Sequence, residues 1–519
     1  MTLLSRRLLA STFLLLAVSS LAPAAKIREV DAGPHALVRK IEAILRSSDA
    51  RRGQWGIAVV QLSNNRVLYT READRLFLPA SNMKLFTTAA AVEELGPDFV
   101  FRTTVESSTP PDAEGRVADL ILVGRGDPTL GNRVMPGEPT PPNQPPADAV
   151  FQKLADQVAA RGVREVAGNL IADDSYFLYE PFSHGWEEED LQWGYGAPVT
   201  ALAVNDNALL LRARPASSAG ASAQVTLEPF ADLYQLNNRL LTAVAGRRKQ
   251  IYIERAPGSN RLDVWGEIPL GADEEQTAIS IANPPLLAGE LLRRALEARG
   301  IRVRGRVEVY HLSRIEAATA DSPPAPSPAR ITLAENISSP LREELKLINK
   351  FSQNLHVEML LRTLGQEVKH YGSLTVGLEV LNEFAARVGI EPGEVNFADG
   401  SGLSRHDLVT PRAVVKLLKF MSASSRSSAF LDSLPVAGVD GTLDERFNGT
   451  PLKGRVRAKT GTMEHTNALS GYMDLPTGER LAFSIIGNGH LLSSFDGAAV
   501  IDEITLAIYR HFARRGKMR

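Results

Sequence analysis

A serine and a lysine three positions apart, in Ser81-Asn82-Met83-Lys84, form the first candidate for chemistry in this chain. Side chains at i and i+3 lie on one helix face, so they can meet. A serine hydroxyl becomes a good nucleophile when a base takes its proton, and a lysine whose pKa is lowered by burial can be that base. By itself, this spacing occurs by chance about once or twice per chain, as a surface serine and a solvated lysine.

Two further motifs carry side chains that suit serine acyl transfer. Ser352-Gln353-Asn354 offers a hydroxyl that could relay a proton and an amide that could hold a substrate amide. In Lys459-Thr460-Gly461-Thr462, the charge and the two hydroxyls suit a substrate carboxylate, and Gly461 leaves room for close approach. Ser-x-Asn is common by chance, whereas Lys-Thr-Gly is expected only about 0.1–0.2 times per chain. The alternative for Lys459-Thr460-Gly461-Thr462 is a basic turn before a strand.

The elements that must position these motifs are visible as changes in hydrophobic periodicity. Two Pro-rich segments, 136–146 and 322–328, are typical of surface loops or linkers. Short strand-like runs dominate from Phe101 onwards, and helical periodicity returns after the second Pro-rich segment. Strands are predicted at 57–62, 67–69, 120–123, 168–172, 209–212, 251–254, 303–309, 468–473 and 481–486. Helices are predicted at 35–45, 81–95, 285–299, 341–351, 354–364, 411–421 and 500–512.

This pattern predicts an α/β fold of the α+β kind, in which both ends of the chain build one unit and a mostly β insertion interrupts it. The closing hairpin and helix would pack with the strand and helix near the N-terminus. On pattern alone, the alternative is three domains in linear order. The predicted division is 1–25 as a signal peptide, 26–100 with 317–519 as the catalytic domain, 101–207 with 264–316 as an inserted domain, and 208–263 as a nested domain.

Composition excludes several classes of protein. The 519 residues carry a formal net charge of −2, which argues against a strongly basic nucleic-acid binder. The chain has no cysteine, so thiol catalysis, disulfides, cysteine metal sites and a lipid-modified cysteine anchor are impossible. Its nine histidines include no paired metal-binding spacing, and no metal or other cofactor is expected.

The first 25 residues have the features of an export signal. Arg6 and Arg7 precede an apolar run at 8–21, and Ala22-Pro23-Ala24 is a small-residue cleavage site. The alternative is an uncleaved anchor, although the run is short for a spanning helix. No later stretch is long and apolar enough to span a membrane. The sequence therefore predicts a periplasmic or cell-envelope protein, and leaves open whether export follows the general or the twin-arginine route.

The three motifs occur in the order Ser-x-x-Lys, Ser-x-Asn and Lys-Thr-Gly, which resembles the signature of penicillin-binding proteins and serine β-lactamases. The long separation of Ser81 and Ser352 is similar to that of low-molecular-mass class C penicillin-binding proteins, which are D-alanyl-D-alanine carboxypeptidases and endopeptidases. Gln353 departs mildly from this family, since Asp- or Glu-like residues are frequent there. Further stretches that resemble the family are 78–81, 124–128, 195–198, 205–207, 349–350, 358–361, 399–403 and 458–462.

The resemblance implies a β-lactamase/transpeptidase-like catalytic domain and a role for each motif. Ser81 would be acylated, with Lys84 as the base. Ser352 and Lys459 would relay the proton to the leaving group. The substrate-binding residues would be Asn354 at the acyl-side amide, Thr460 and Thr462 at the terminal carboxylate, Gly461 beside them, and the backbone N–H groups of Ser81 and Thr462 at the oxyanion.

The implied reaction removes the terminal D-Ala from peptidoglycan stem peptides, or cleaves their D-Ala cross-links, through an acyl-enzyme. β-Lactams would acylate the same serine and hydrolyse slowly. One alternative is a serine β-lactamase or esterase, which would be more compact. A non-catalytic β-lactam or muropeptide sensor is another, and would carry a transmembrane signalling segment. The inserted region could shape substrate access, bind glycan or mediate homo-oligomerisation.

Several residues near the motifs are interpreted as structural. Asp399, in Asp-Gly-Ser-Gly, is more typical of a turn former than of an acid. His356 and His465 are interpreted as structural or surface histidines. Trp186 and Trp193, with Tyr195, indicate an aromatic surface near the insertion, which favours packing over ligand binding.

Overall fold

The structure is a computed structural model that describes residues 34–46, 48–131, 146–256, 258–319 and 330–514. The predicted signal peptide, the second Pro-rich segment and nearly all of the first lie outside these residues. Within the described ranges, no helix is both long and apolar enough to cross a membrane.

The helices largely follow the predicted periodicity. The closing helix begins earlier than predicted, and Ser81 lies in a 3₁₀ turn, Ala80–Met83, that precedes the α-helix. The start of the helix at 411–423 follows directly from the sequence. The Thr410 hydroxyl accepts the N–H of Ala413, and Pro411 lacks only an N–H that would have no partner in the first turn of a helix. The α-helices are α1 (His35–Arg46), α2 (Lys84–Glu94), α3 (Ala149–Ala160), α4 (Pro284–Glu297), α5 (Arg314–Thr319), α6 (Leu341–Lys350), α7 (Asn354–Lys369), α8 (Leu374–Val388), α9 (Pro411–Ala423), α10 (Ser427–Ser433) and α11 (Ser494–Arg514).

The strands are β1 (Gln54–Gln61), β2 (Arg66–Arg71), β3 (Arg102–Ser107), β4 (Arg116–Val117), β5 (Leu120–Val123), β6 (Glu165–Val166), β7 (Leu170–Leu178), β8 (Ala208–Arg214), β9 (Gln224–Glu228), β10 (Gln235–Ala243), β11 (Gln250–Glu254), β12 (Arg261–Pro269), β13 (Glu275–Ser280), β14 (Arg302–Val303), β15 (Val307–Leu312), β16 (Ile331–Ile337), β17 (Val395–Asn396), β18 (Leu408–Val409), β19 (Val456–Met463), β20 (Thr466–Asp474) and β21 (Arg480–Asn488). Among the described residues, one five-stranded sheet is built from the chain ends, β17 and β18 form a separate pair, and the remaining sheets belong to the insertion.

The sheet from the chain ends has the order β19-β20-β21-β1-β2, and its pairs are antiparallel. Successive side chains of a strand point to opposite faces, so one strand can serve two cores. Ile57 and Val59 pack in a core with α1 and α11, whereas Ala58 packs in a second core with α2 and α7 to α9. The prediction of an α/β fold whose closing hairpin packs against the N-terminal strand is confirmed.

The insertion carries a five-stranded sheet, β15-β7-β5-β3-β16, and three smaller sheets, β14-β6-β4, β13-β8-β9 and β10-β12-β11. Helices α3 and α4 contribute to the core of the five-stranded sheet. The sheets that contain β8 and β12 share a separate small core. The insertion therefore has apolar interiors of its own.

Two strand pairings and one helix conflict with the predicted division of the chain. β16, expected in the catalytic domain, pairs with β3 in the inserted sheet. The division at 263 and 264 falls inside β12, while β13 pairs with β8, so strands of the nested region extend to Ser280. The division at 316 and 317 falls inside α5. Pairing between distant segments leaves no trace in local periodicity, and the domain division itself stays a prediction.

Candidate active site

Lys84 is fully buried at the start of α2 and contacts the turn that carries Ser81. Its Nζ donates to Ser81 Oγ at 2.9 Å. It also donates to Asn354 Oδ1 at 2.6 Å and to the carbonyl oxygen of Ser401 at 2.7 Å. The ammonium or amine nitrogen is thus held by three fixed acceptors, one of which is the half-buried Ser81 hydroxyl.

The protonation state of Lys84 is set by its burial. Loss of hydration lowers the pKa of Lys84 to about 7, although the carboxyl groups of Asp399, Glu358 and Asp407 act in the opposite direction. A lysine in water titrates near 10.4. A substantial fraction of Lys84 is therefore neutral near pH 7, and only the neutral amine can accept the Ser81 proton.

The turn that presents the Ser401 carbonyl is built by buried carboxylates. Asp399 Oδ1 accepts the N–H groups of Ser401 at 2.9 Å and Gly402 at 2.6 Å. Glu358 Oε1 accepts the N–H groups of Gly400 and Ser401, each at 2.8 Å. Burial, and the charge of Asp399, raise the pKa of Glu358. These contacts agree with the interpretation of Asp399 as a turn former.

Ser352 and Lys459 form a second hydroxyl–amine pair. Lys459 Nζ donates to Ser352 Oγ at 2.9 Å and to the carbonyl oxygen of Thr460 at 3.0 Å. Ser352 lies between α6 and α7 with φ +60°, in the left-handed region. Lys459 is fully buried, and burial together with the charge of Lys84 holds the pKa of Lys459 well below its ordinary value. Both lysines of the site therefore lose a proton more readily than a lysine in water does.

Strand β19 approaches the Ser81 turn closely because Gly461 has no side chain. A Cβ at Gly461 would lie 2.6 Å from the carbonyl oxygen of Pro79. The buried Asn82 side chain donates to the carbonyl oxygen of Lys459 at 3.1 Å and fastens the turn to the strand. Thr460 Oγ1 donates to Thr442 Oγ1 at 2.8 Å, and Thr462 is exposed on the same face of the strand.

Asn354 connects the site to the insertion. It is the first residue of α7; its Oδ1 accepts from Lys84, and its Nδ2 donates to the carbonyl oxygen of Tyr195 at 2.9 Å. Beside Ser352 and Asn354 opens a cleft of about 520 Å³. The insertion forms its other wall, which includes Trp193 and Tyr195. These aromatic residues line the cleft rather than serving only to pack the insertion.

The structure brings Ser81, Lys84, Ser352, Asn354 and Lys459 together, with Thr460, Gly461 and Thr462 alongside on β19. Sequence reasoning missed three groups that contact them: the carbonyl oxygens of Ser401 and Tyr195, and the Thr442 hydroxyl. The first two lie in stretches that resemble the family, so that signal was available. Nothing in the sequence around Thr442 marks it.

Gly402 provides a test of how precisely the Ser81 turn must be placed. Its φ is +80°, and a Cβ there would lie 1.9 Å from the carbonyl oxygen of Ala80. Gly402→Ala should displace Ser81 and slow the acylation that the sequence resemblance implies, measured with a labelled penicillin, by about 100-fold, since small misplacements of reacting groups cost that much. Gly393→Ala is the matched control, because Gly393 has φ +90° but no atom within 4 Å of a Cβ. Equal acylation rates in the two variants would contradict this expectation.

The chain is similar in sequence to proteins of one known family. The profile described as "D-Ala-D-Ala carboxypeptidase 3 (S13) family" matches residues 37–509. The chain is 38% identical over 461 residues to a D-alanyl-D-alanine carboxypeptidase of Actinomadura sp. (strain R39), covering 87% of this chain and 80% of that protein. It is 25% identical over 447 residues to D-alanyl-D-alanine carboxypeptidase DacB of Haemophilus influenzae, covering 84% and 85%.

Solved structures show a similar fold. The crystal structure of penicillin binding protein 4 (dacB) from Haemophilus influenzae matches with a TM-score of 0.77 at 23% identity, over 92% of this chain and 99% of that chain. The same protein complexed with a β-lactam matches with a TM-score of 0.72 at 22% identity, with the same coverage. The likeness extends across the insertion as well as the sheet built from the chain ends.

Proposed function

Because the chain belongs to the D-Ala-D-Ala carboxypeptidase 3 (S13) family, we propose that Ser81 attacks the carbonyl carbon of the penultimate D-Ala in peptidoglycan stem peptides. The chain is a serine-type D-Ala-D-Ala peptidase of the penicillin-binding kind. One observation carries the assignment of Ser81: its hydroxyl lies 2.9 Å from Lys84 Nζ, the amine whose burial lowers its pKa to about 7.

In the acylation step, the bond between Ser81 Oγ and the carbonyl carbon forms as the hydroxyl proton passes to Lys84 Nζ. The carbonyl oxygen becomes an oxyanion, which the backbone N–H groups of Ser81 and Thr462 stabilise. The bond from carbon to the nitrogen of the terminal D-Ala then breaks. Ser352 and Lys459 deliver the proton that this nitrogen needs, since their 2.9 Å contact forms a path to the leaving group. Water then adds to the ester carbon: its hydroxyl group stays on the released peptide and its proton restores the Ser81 hydroxyl. The proton held by Lys84 returns to the Ser352–Lys459 pair, which closes the cycle.

Substrate binding follows from the position of β19 at the edge of its sheet. Val436 bridges to Arg457 and Ala458 donates to Pro435, so the beginning of this edge is already covered. An extended peptide can add as a strand from Lys459 onwards. Asn354 would hold the acyl-side amide from the opposite wall. Thr460 and Thr462 would bind the terminal carboxylate, with Gly461 leaving room for the substrate backbone.

β-Lactams fit the same proposal as covalent inhibitors. The ring carbonyl would occupy the position of the D-Ala carbonyl, and Ser81 would be acylated. The carboxylates near Lys84, Glu358 and Asp399, accept hydrogen bonds from backbone N–H groups of the 400–404 turn. They are therefore poorly placed to act as an additional base on water. The opened β-lactam, unlike the peptide, also keeps its leaving amine attached to the acyl group, so its adduct should hydrolyse more slowly than the peptide acyl-enzyme.

The substrate lies in the cell wall, so the enzyme must act outside the cytoplasm. We propose that residues 1–25 direct export and that the mature enzyme is periplasmic or bound to the envelope. N-terminal sequencing of secreted protein checks the cleavage site after Ala24 or Ala25. Homo-oligomerisation stays a prediction, which light scattering of the purified chain tests.

Chromatography of muropeptides before and after incubation with the enzyme tests the activity. Loss of the terminal D-Ala demonstrates carboxypeptidase action, and conversion of cross-linked dimers to monomers demonstrates endopeptidase action. If neither changes while penicillin still labels Ser81, the sensor alternative replaces the peptidase proposal.

The pH dependence of acylation should follow the titration of Lys84. Below pH about 7 the Lys84 amine is protonated and cannot accept the Ser81 proton, so the acylation rate should fall as pH decreases through this value. Stopped-flow measurement with a fluorescent penicillin between pH 5 and 9 checks this, at about tenfold per pH unit on the acid limb. A rate that rises toward low pH would rule out Lys84 as the base.

A further inference from the structure

His356 is a buried histidine with an acidic partner on each side. Its Nδ1 lies 2.5 Å from Glu344 Oε1 in α6, and its Nε2 lies 2.9 Å from Asp206 Oδ1 in the insertion. The side chains of His356, Glu344 and Asp206 are 1%, 3% and 11% exposed, so this is an interior cluster rather than a surface pair. It links α6, α7 and the inserted region at one point.

Asp206 also contacts the middle residue of the Ser352-Gln353-Asn354 motif. Gln353 Nε2 donates to Asp206 Oδ2 at 2.5 Å, and Gln353 is itself buried. Gln353 precedes Asn354, and His356 follows it by two positions. The two oxygens of one inserted carboxylate therefore hold the chain on both sides of Asn354.

The turn that carries Asp206 is rigidly built. Residues Asn205, Asp206 and Asn207 have φ values of +51°, +57° and +51°, a left-handed conformation that Asn and Asp adopt more readily than other side chains. Asn207 Nδ2 donates to the carbonyl oxygen of Pro198, and Asn207 Oδ1 accepts the N–H of Val204. Such a turn can hold a carboxylate in one place.

The charges in the cluster favour a protonated histidine. Burial alone would lower the pKa of His356, but Glu344 and Asp206 outweigh it and raise the pKa to about 10. Asp127, on the loop after β5, is a further acidic neighbour of the cluster, and burial raises its pKa. With both ring nitrogens protonated, His356 donates to Glu344 and Asp206 at once.

We propose that Asp206 is a positioning residue through which the insertion fixes the Ser352-Gln353-Asn354 loop for acylation. The loop needs such support because Ser352 has φ +60°, which a non-glycine residue adopts at a cost. The Asp206 contacts hold Ser352 Oγ against Lys459 and Asn354 Oδ1 against Lys84, the two contacts on which proton transfer depends. This inference rests on the proposed function of those residues.

Asp206→Ala tests the inference, with Asp174→Ala as the matched control. Asp174 is a buried carboxylate in the inserted sheet that pairs with His311 Nδ1 at 2.7 Å, so its loss removes a similar contact from the same region. We expect Asp206→Ala to lower the rate constant of penicillin acylation, and kcat for a peptide ending in D-Ala-D-Ala, by about 10- to 100-fold. KM should change far less, and Asp174→Ala should keep the acylation rate.

Asp206→Asn supplies the conservative comparison, because its amide oxygen can still accept from His356 and its amide nitrogen can donate to the Gln353 side-chain oxygen once that amide turns over. It should recover most of the acylation rate lost in Asp206→Ala. Thermal melting of each variant separates unfolding from misplacement, and long incubation with labelled penicillin should still label every folded Asp206→Ala molecule, since Ser81 is intact. Acylation by Asp206→Ala that is no slower than by Asp174→Ala would overturn the inference. Failure of the unsubstituted chain to label at all would instead contradict the proposed function.

Discussion

Replacing Ser81 with alanine should abolish covalent labelling by penicillin and lower D-Ala-D-Ala peptidase activity by at least about 1,000-fold, because no nucleophile remains to form the acyl-enzyme. The fold should survive, since Ser81 is half-buried and its hydroxyl accepts from Lys84 Nζ rather than filling a core. Gel fluorescence after incubation with a fluorescent penicillin and mass spectrometry of the intact chain measure the adduct.

Ser63→Ala is the control for this experiment. Ser63 is an exposed serine in the turn between β1 and β2, and its hydroxyl donates at 2.6 Å to Oε2 of Glu479 in the turn between β20 and β21. Its replacement should leave both labelling and peptidase activity unchanged. Labelling of Ser81→Ala at the rate of the unsubstituted chain would place the nucleophile on another residue.

Lys84→Met should have the next largest effect, because methionine has a similar length but no amine. Acylation should slow by about 100- to 10,000-fold, the usual contribution of a positioned general base. The remaining rate should show no acid limb near pH 7, unlike that of the unsubstituted chain. Lys346→Met, at a partly exposed lysine that pairs with Glu343, should leave rate and pH profile unchanged.

Lys84→Met should also be more stable than the unsubstituted chain below neutral pH. The pKa of Lys84 falls from 10.5 in the unfolded chain to about 7 in the folded chain. Between these two pH values the unfolded chain therefore holds one more proton than the folded chain. Buried Lys84 thus lowers the free energy of unfolding, and it does so most strongly below pH 7. Lys84→Met should therefore raise the melting temperature at pH 6, and this gain should vanish as pH rises through about 10.5. An inactive variant that melts higher cannot be explained by misfolding. A variant that is fully active at pH 6 would exclude Lys84 from acylation.

Much of the site could be predicted because its chemistry lies in short motifs whose order along the chain is informative. Ser81 and Lys84 come from one turn of the chain, and Lys-Thr-Gly is rare enough to stand out. The groups that hold those motifs in place escaped prediction. Ser401 and Tyr195 contribute backbone carbonyl oxygens, which every residue has, so their side chains give no clue.

Helices α3, α5, α8 and α10 were not predicted from the sequence, and other parts of the fold escaped prediction because they depend on distant pairing. Helices α4, α6 and α9 follow local periodicity and were predicted to within two residues at each end, whereas α7 was predicted five residues too short. The pairing of β16 with β3 depends on hydrogen bonds between strands more than 200 residues apart, which no local pattern records. The role of His356 was likewise hidden, since a histidine near a motif reveals its acidic partners only when Glu344 and Asp206 come together in space.

The antiparallel pairing of β1 with β21 also bears on when the enzyme becomes active during its synthesis. Ser81 emerges from the ribosome early, whereas Lys459 on β19 and the later strand β21, which pairs with β1, emerge only near the end of synthesis. The insertion has apolar interiors of its own, so it can fold before β19 to β21 are available. A nascent or prematurely terminated chain thus carries the nucleophile without its second lysine and without a completed sheet. Activity is therefore confined to chains translated through β21.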